Sequence, residues 1–270
     1  MDKSTCKNKY EILAFSRSDY GPRTEICRYL TFEKFAWLLE KSLLYHCRLD
    51  QFQDPFEGAI TKPYAQKRYS EEPLRHPLGP DFEALNNWRL RCSSFATCWY
   101  ASSVRSDAMW KLYSNEKAGV AIVSTPHRLS EAVGTLPKGY WGFLGPIEYL
   151  DFQQDDMKLK NGLIVKPGLA KPKSFSHEKE VRGLLHPNGA NISDEIMKNP
   201  DLLKNREAIQ RHTAALPKGL NVPVNLGILI QNIVISPLAP HWFGELARIQ
   251  AERRGLADVI QLPEQIEPIF

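Results

Sequence analysis

The segment His177-Glu178-Lys179-Glu180-Val181-Arg182 sets two carboxylates two positions apart and an arginine beside them. Read as a strand, it turns Glu178 and Glu180 to one face and Lys179 and Val181 to the other. Two like charges on one face repel, so a structural strand gains nothing from them unless cations or solvent compensate. In a dry cleft the same pair has a use. A fixed carboxylate stabilises the positive charge that builds on a sugar as a glycosidic bond to a cationic leaving group breaks. The plainer reading is a solvated edge strand with Arg182 as partner.

Near the start of the chain, Cys27-Arg28-Tyr29 carries a planar guanidinium suited to bidentate grip on a diphosphate. The plain alternative is that Arg28 pairs with Asp54 or Glu57 of Phe52-Gln53-Asp54-Pro55-Phe56-Glu57, where Asp-Pro is also a natural turn former. In Asp107 to Ser114, Trp110 and Tyr113 stand three apart on one helix face, as core or as a stacking platform for a ring. Asp54, Glu57, Glu178 and Glu180 gathered together would also suit Mg²⁺ and nuclease chemistry. Against that, the late segment reads Glu-Lys-Glu and lacks an acid-x-lysine step.

The elements that must position these groups mix strand and helix patterns without a βαβ period or internal repeat. Strand patterns are expected at 25–30, 43–47, 91–99, 119–124, 140–152, 177–185, 226–235 (as a strand pair) and 258–262. Helices are expected from Phe32 to about Ser42, over most of 59–90, at 107–114, after Pro126, over 194–214 and at 240–254. Residues 1–24 read as an arm and 158–173, rich in lysine and proline, as a loop that is solvated or serves as a lid. Within 91–99, alternation puts Ser93, Phe95 and Thr97 on one face and Ser94, Ala96 and Cys98 on the other. The expected fold is α+β: one domain, 25–270, with a central mixed, largely antiparallel sheet flanked by helices.

Composition narrows the function classes. The formal net charge of +4 gives no support to general nucleic-acid coating. The most apolar run, Val222 to Ile235, is broken by Pro223, Asn225, Gln231 and Asn232, so no membrane span is expected. The N-terminus is charged where a signal peptide needs an apolar core. Five cysteines without a CxxC pair point to buried thiols in a reduced cytoplasmic compartment. The seven histidines are scattered, and no metal site is expected. Phosphate-loop, Rossmann, hydrolase-elbow and zincin signatures do not occur.

Taken in order, the Arg28-Tyr29 strand, the Asp54-Pro55-Phe56-Glu57 loop, Cys98-Trp99 leading to Ala108-Met109-Trp110-Lys111-Leu112-Tyr113-Ser114, and Glu178-x-Glu180-x-Arg182 resemble a bacterial family labelled domain of unknown function 2971. The tail IVISPLAPHWFGELAR at 233–248 is similar to that family's C-terminal part, although Tyr100 stands where members often carry Ser, His or Thr. The order arginine, Ser/Thr strand, Glu-x-Glu is also similar to the Arg-Ser-Glu layout of ADP-ribosyltransferases. That resemblance implies NAD as substrate, bound by Arg28, Tyr29, Ser94, Thr97, Trp110 and Tyr113. It implies Glu180 as the catalytic carboxylate with Glu178 beside it, and a protein or nucleic-acid acceptor. A Ser-Thr-Ser strand is missing; Ser93-Ser94-Phe95-Ala96-Thr97 stands there. The enzyme would suit bacterial defence against phage or a toxin; a non-catalytic sensor or partner-binding domain, which would also suit a bacterial defence locus, is the rival expectation. The enzyme reading requires Arg28 and Glu180 to open onto one cleft.

Overall fold

A computed structural model describes residues 9–13, 20–71, 80–103, 105–114, 118–158, 165–188, 207, 211, 214 and 216–261. The described part is α+β. Its central sheet of ten strands is mixed: β1 (Tyr10–Ile12), β2 (Ile26–Thr31), β3 (Leu43–Arg48), β4 (Phe95–Ala101), β5 (Gly119–Ser124), β6 (Tyr140–Pro146), β9 (Glu180–Pro187), β10 (Gly219–Pro223), β11 (Asn232–Ile235) and β12 (Ile260–Gln261). The order is β1-β6-β9-β4-β2-β5-β11-β12, with β3 attached to β4 and β10 to β3. Two pairings in it, β1 with β6 and β11 with β12, are parallel; the others are antiparallel. A separate parallel pair joins β7 (Glu148–Leu150) to β8 (Ala170–Pro172).

Local chemistry explains the elements around the sheet. Helix α1 (Phe32–Lys41) buries Phe35, Leu38 and Leu39, and Ser42 closes it in the left-handed region, its N–H bonding the Leu38 carbonyl. Helices α2 (Lys62–Glu71) and α3 (Pro80–Ser93) follow. After α4 (Asp107–Tyr113) comes α5 (Pro126–Ala132), which starts with Pro126 at its first position and the Thr125 hydroxyl accepting from the Arg128 N–H. Leu226–Leu229 (α6) and His241–Glu252 (α7) complete the helices described.

Several expected boundaries move. Residues 91–93 close α3 rather than open β4, because the Ser93 hydroxyl is satisfied inside the helix by the Arg89 carbonyl. The apolar run 226–235 is a helical turn followed by a strand: Asn225 caps α6 by accepting from the Ile228 N–H, which diverts the first half. Tyr140 to Phe152 breaks at Ile147, whose N–H bonds the Glu180 carbonyl. The segment read as a strand from His177 begins only at Glu180. Lys173–Glu178 is a 3-10 turn, and Lys179, at φ 40°, swings the chain into β9. The stretch 158–173 contains β8, and within the expected arm Tyr10–Ile12 forms β1. The helix expected over 194–214 lies outside the described residues except at 207, 211 and 214.

Apolar side chains cover both sheet faces. One face packs Ile26, Leu30, Trp99, Val181 and Leu185 under α1, α5 and α7. On the other face two clusters are separate: α4 over Cys27, Tyr29, Ala121 and Val123, and the β7–β8 pair with Leu49 over Ala96 and Leu184. Among the described residues no helix is long and apolar enough to cross a membrane.

Candidate functional site

Strand β4 sets the site. One edge pairs with β9 along residues 95–100. On the other edge Tyr100 and Ala101 pair with β2, while Phe95 and Ala96 pair with β3. Beyond Cys27, β2 stays with β5, and β3 leaves β4 to pair with β10. The two strands therefore diverge opposite Thr97, Cys98 and Trp99, and the sheet forks.

Arg28 occupies the fork. Its guanidinium donates to the Thr97 hydroxyl on β4 and, at 3.2 Å, to the Tyr45 carbonyl on β3. Neither acceptor carries charge. The expected alternative pairing of Arg28 with Asp54 or Glu57 does not occur, and among the described residues no carboxylate reaches ion-pair distance of it. Burial lowers its pKa from the ordinary arginine value. The residue is half-buried, and a partly desolvated cation with only neutral partners gains when an anion joins it. Close by, Trp99 buries an indole N–H that has no partner among the described residues. Donors are thus in excess at the fork.

A hollow of about 740 Å³ opens here, lined by Arg28, Trp99, Tyr45, Tyr113, Glu178 and Glu180 among others. That lies within the range of about 300–1,000 Å³ usual for small-molecule sites. Arg28 and Glu180 thus share one cleft, but not from one face. Cross-strand pairing of Cys27 with Tyr100, and of Tyr100 with Glu180, puts these three on one face, so Arg28 leaves β2 on the opposite one. It reaches the hollow only through the fork.

The acids form a second pole. Arg182, fully buried, uses all five N–H donors: three on Glu180 and Glu57 through Nε and Nη2, and two from Nη1 to Glu57 and the Gly168 carbonyl, at 2.8–3.0 Å. Lys171 Nζ sits 2.5 Å from Glu178, 3.3 Å from Glu180 and 3.3 Å from Glu57. Tyr113 donates to the other Glu178 oxygen at 3.1 Å. Three carboxylates face two cations, so the cluster carries one negative charge in excess. Although burial opposes its charged form, Arg182 and Lys171 hold Glu180 below the usual carboxylate range.

This geometry revises several expectations. Glu178 and Glu180 do not share a strand face; they converge because the turn at Lys179 brings both onto Lys171. Glu180 is the more neutralised of the two, held by both cations, whereas Glu178 has Lys171 and the Tyr113 phenol as its side-chain partners among the described residues. Glu57 is the buried partner of Arg182, and Asp54 is a turn former whose carboxylate accepts from the Phe56 N–H. Among the described residues, the partners of Glu57, Glu178 and Glu180 are the side chains of Lys171 and Arg182, and Asp54 is not part of that cluster. Trp110 is core, buried edge-on against Tyr29 at 4.7 Å. Ser94 lies away from the hollow, its hydroxyl 3.4 Å from His186. Tyr29 and Tyr113 line the hollow, and Thr97 serves it by holding Arg28.

Lys171 was missed. It lies in a five-lysine stretch whose composition signals a solvated loop, and only its pairing partners distinguish it. Cys27, Cys47 and Cys98 are free thiols on the lining, and burial raises their pKa, to about 12 for Cys27. Comparison of the chain with protein-family models, curated proteins and solved structures finds no match.

Proposed function

We propose that the hollow binds a dinucleotide of the NAD type and that the chain is an ADP-ribosyltransferase-like enzyme or NAD glycohydrolase. The observation that carries this reading is one cavity with two charged poles: an arginine without a carboxylate, and an acid cluster with one negative charge to spare. A diphosphate complements the first pole, and a cationic nicotinamide ribose complements the second. The Arg-Ser/Thr-Glu order, similar to that of ADP-ribosyltransferases, supports it as a sequence argument.

The chemistry follows from those poles. The bond between the ribose anomeric carbon and the nicotinamide nitrogen breaks, and its electron pair leaves with neutral nicotinamide. The carbon becomes oxocarbenium-like and is captured by the lone pair of water or of an acceptor on protein or nucleic acid, which gives up a proton to solvent. Glu178, the less neutralised carboxylate, is the stabiliser of that charge, and Glu180 with Lys171 fixes it in place. This reverses the weight that the resemblance to ADP-ribosyltransferases gives to Glu180.

Nicotinamide release from NAD by the wild-type chain and by Glu178→Gln tests the proposal. Turnover should drop roughly 100-fold or more in the variant, on the scale of losing one charge-stabilising group. Wild-type protein that binds NAD but releases no nicotinamide with any acceptor overturns the enzyme and leaves a sensor. The full compensation of Glu180 favours that second reading.

A further inference from the structure

The hollow has a third feature that neither pole explains. On the β3 side of the fork its lining comes from α1, β3 and β10 and includes Trp37, Leu43, Tyr45 and Asn221. Trp37 is 38% exposed and Tyr45 40%, large rings left open to solvent at a cavity rim. Tyr45 is not loosely placed. A Cβ at Gly219 would lie 2.2–2.3 Å from its ring atoms, so the absence of a side chain on β10 is what lets the ring lie against that backbone. Its hydroxyl donates to the Lys218 carbonyl at 3.4 Å. Asn221 is paired with Tyr45 across β10 and β3, so the two side chains stand on one face. A ring fixed in this way loses little freedom when another ring stacks on it.

We propose that Tyr45, Trp37 and Asn221 form a purine subsite, with the two rings as the stacking surface and the Asn221 amide reading the base edge. The inference rests on the dinucleotide reading and deepens it. Arg28 bonds both the β3 wall, at Tyr45, and β4, at Thr97, and so stands between the purine wall and the acid wall. That is the order of base, diphosphate and nicotinamide ribose in a dinucleotide. Base stacking on an aromatic platform is sequence-tolerant, whereas an amide paired with the adenine amino edge selects the base.

The test compares NAD, ADP-ribose and nicotinamide mononucleotide as calorimetric titrants of the full chain, wild type and with Tyr45→Ala, Asn221→Ala and Arg28→Lys, with a melting curve for each variant to verify folding. Tyr45→Ala should weaken NAD and ADP-ribose roughly 5- to 100-fold, from the usual worth of a stacked base. The mononucleotide, which has no purine, should lose far less. Asn221→Ala should narrow the preference for NAD over its hypoxanthine analogue, and Arg28→Lys should weaken all three titrants. Should Arg28→Lys weaken all three while Tyr45→Ala leaves NAD binding unaltered, or weakens the mononucleotide as much as NAD, the purine subsite is wrong and the dinucleotide reading stands. Absence of binding of every titrant to the wild type overturns both.

Discussion

Arg182 on β9 and Glu57 in the loop after β3 share two hydrogen bonds, of 2.8 and 3.0 Å, and neither side chain is more than 1% exposed. This contact ties the Asp-Pro-Phe-Glu turn to the strand that carries Glu180, so the acid wall of the hollow is held from two distant parts of the chain.

Removing one partner of a buried, hydrogen-bonded ion pair leaves a charge without compensation. Arg182→Met should therefore destabilise the chain by about 3–5 kcal/mol. At ~2–4 °C per kcal/mol for a chain approaching this size, the thermal midpoint should fall by roughly 6–20 °C. Adding Glu57→Leu should recover part of the loss, because the second substitution removes the stranded carboxylate. Strictly additive losses in the double variant would show that the two residues are not coupled.

Acid sensitivity should begin well above the carboxylate range. Burial, with Arg28 adding to it, lowers His46 to about 3, and burial with Lys166 and Arg89 lowers His186 to about 4. Below the ordinary histidine value of 6.5 the unfolded chain takes up these protons and the folded chain does not. The stability they contribute is complete above pH 6.5 and is lost as pH falls toward 4, at up to about 1.4 kcal/mol per pH unit for each group. Glu180, with its lowered pKa, adds a further loss only below 4.5. Urea midpoints at pH 7, 5.5 and 4.5 measure this; a flat profile would contradict a buried neutral His46 and a half-buried neutral His186.

Gly183 lies opposite Thr97 in the β4–β9 register, and a Cβ there would meet the Thr97 methyl at 2.8 Å and the Tyr10 hydroxyl at 2.9 Å. Gly183→Ala should push Thr97 from its position and cost about 1–3 kcal/mol by overpacking. Because Thr97 holds the Arg28 guanidinium, affinity for NAD should fall along with stability. Loss of stability with undiminished affinity would mean that Thr97 does not position Arg28.

Legibility in the sequence tracked the range of the interactions involved. Periodicity sufficed for α1, and the Thr125-Pro126 cap for the start of α5, because their hydrogen bonds close within a few residues; β5 was legible as an unbroken apolar run although its partners are distant. Alternation failed at Glu178, since the left-handed turn at Lys179 arises from how β9 docks, not from a turn residue such as glycine. It also failed for Arg28: the fork depends on β2 and β3 taking different partners, β5 and β10, which no local pattern encodes. Trp110 and Tyr113 illustrate the same limit. Their spacing puts them on one helix side, yet Tyr29 buries the first and Glu178 draws the second to the hollow. The Glu57–Arg182 pair joins two segments that stood out separately, and only folding shows them as one network.

Calorimetric titration of NAD into the wild-type chain and into Arg28→Gln, at low ionic strength, tests the central claim most directly. The fork arginine as anion holder predicts a saturable heat for the wild type and at least a roughly tenfold weaker affinity for the variant, about 1.4 kcal/mol. Equal affinities, or no wild-type binding at all, would contradict it.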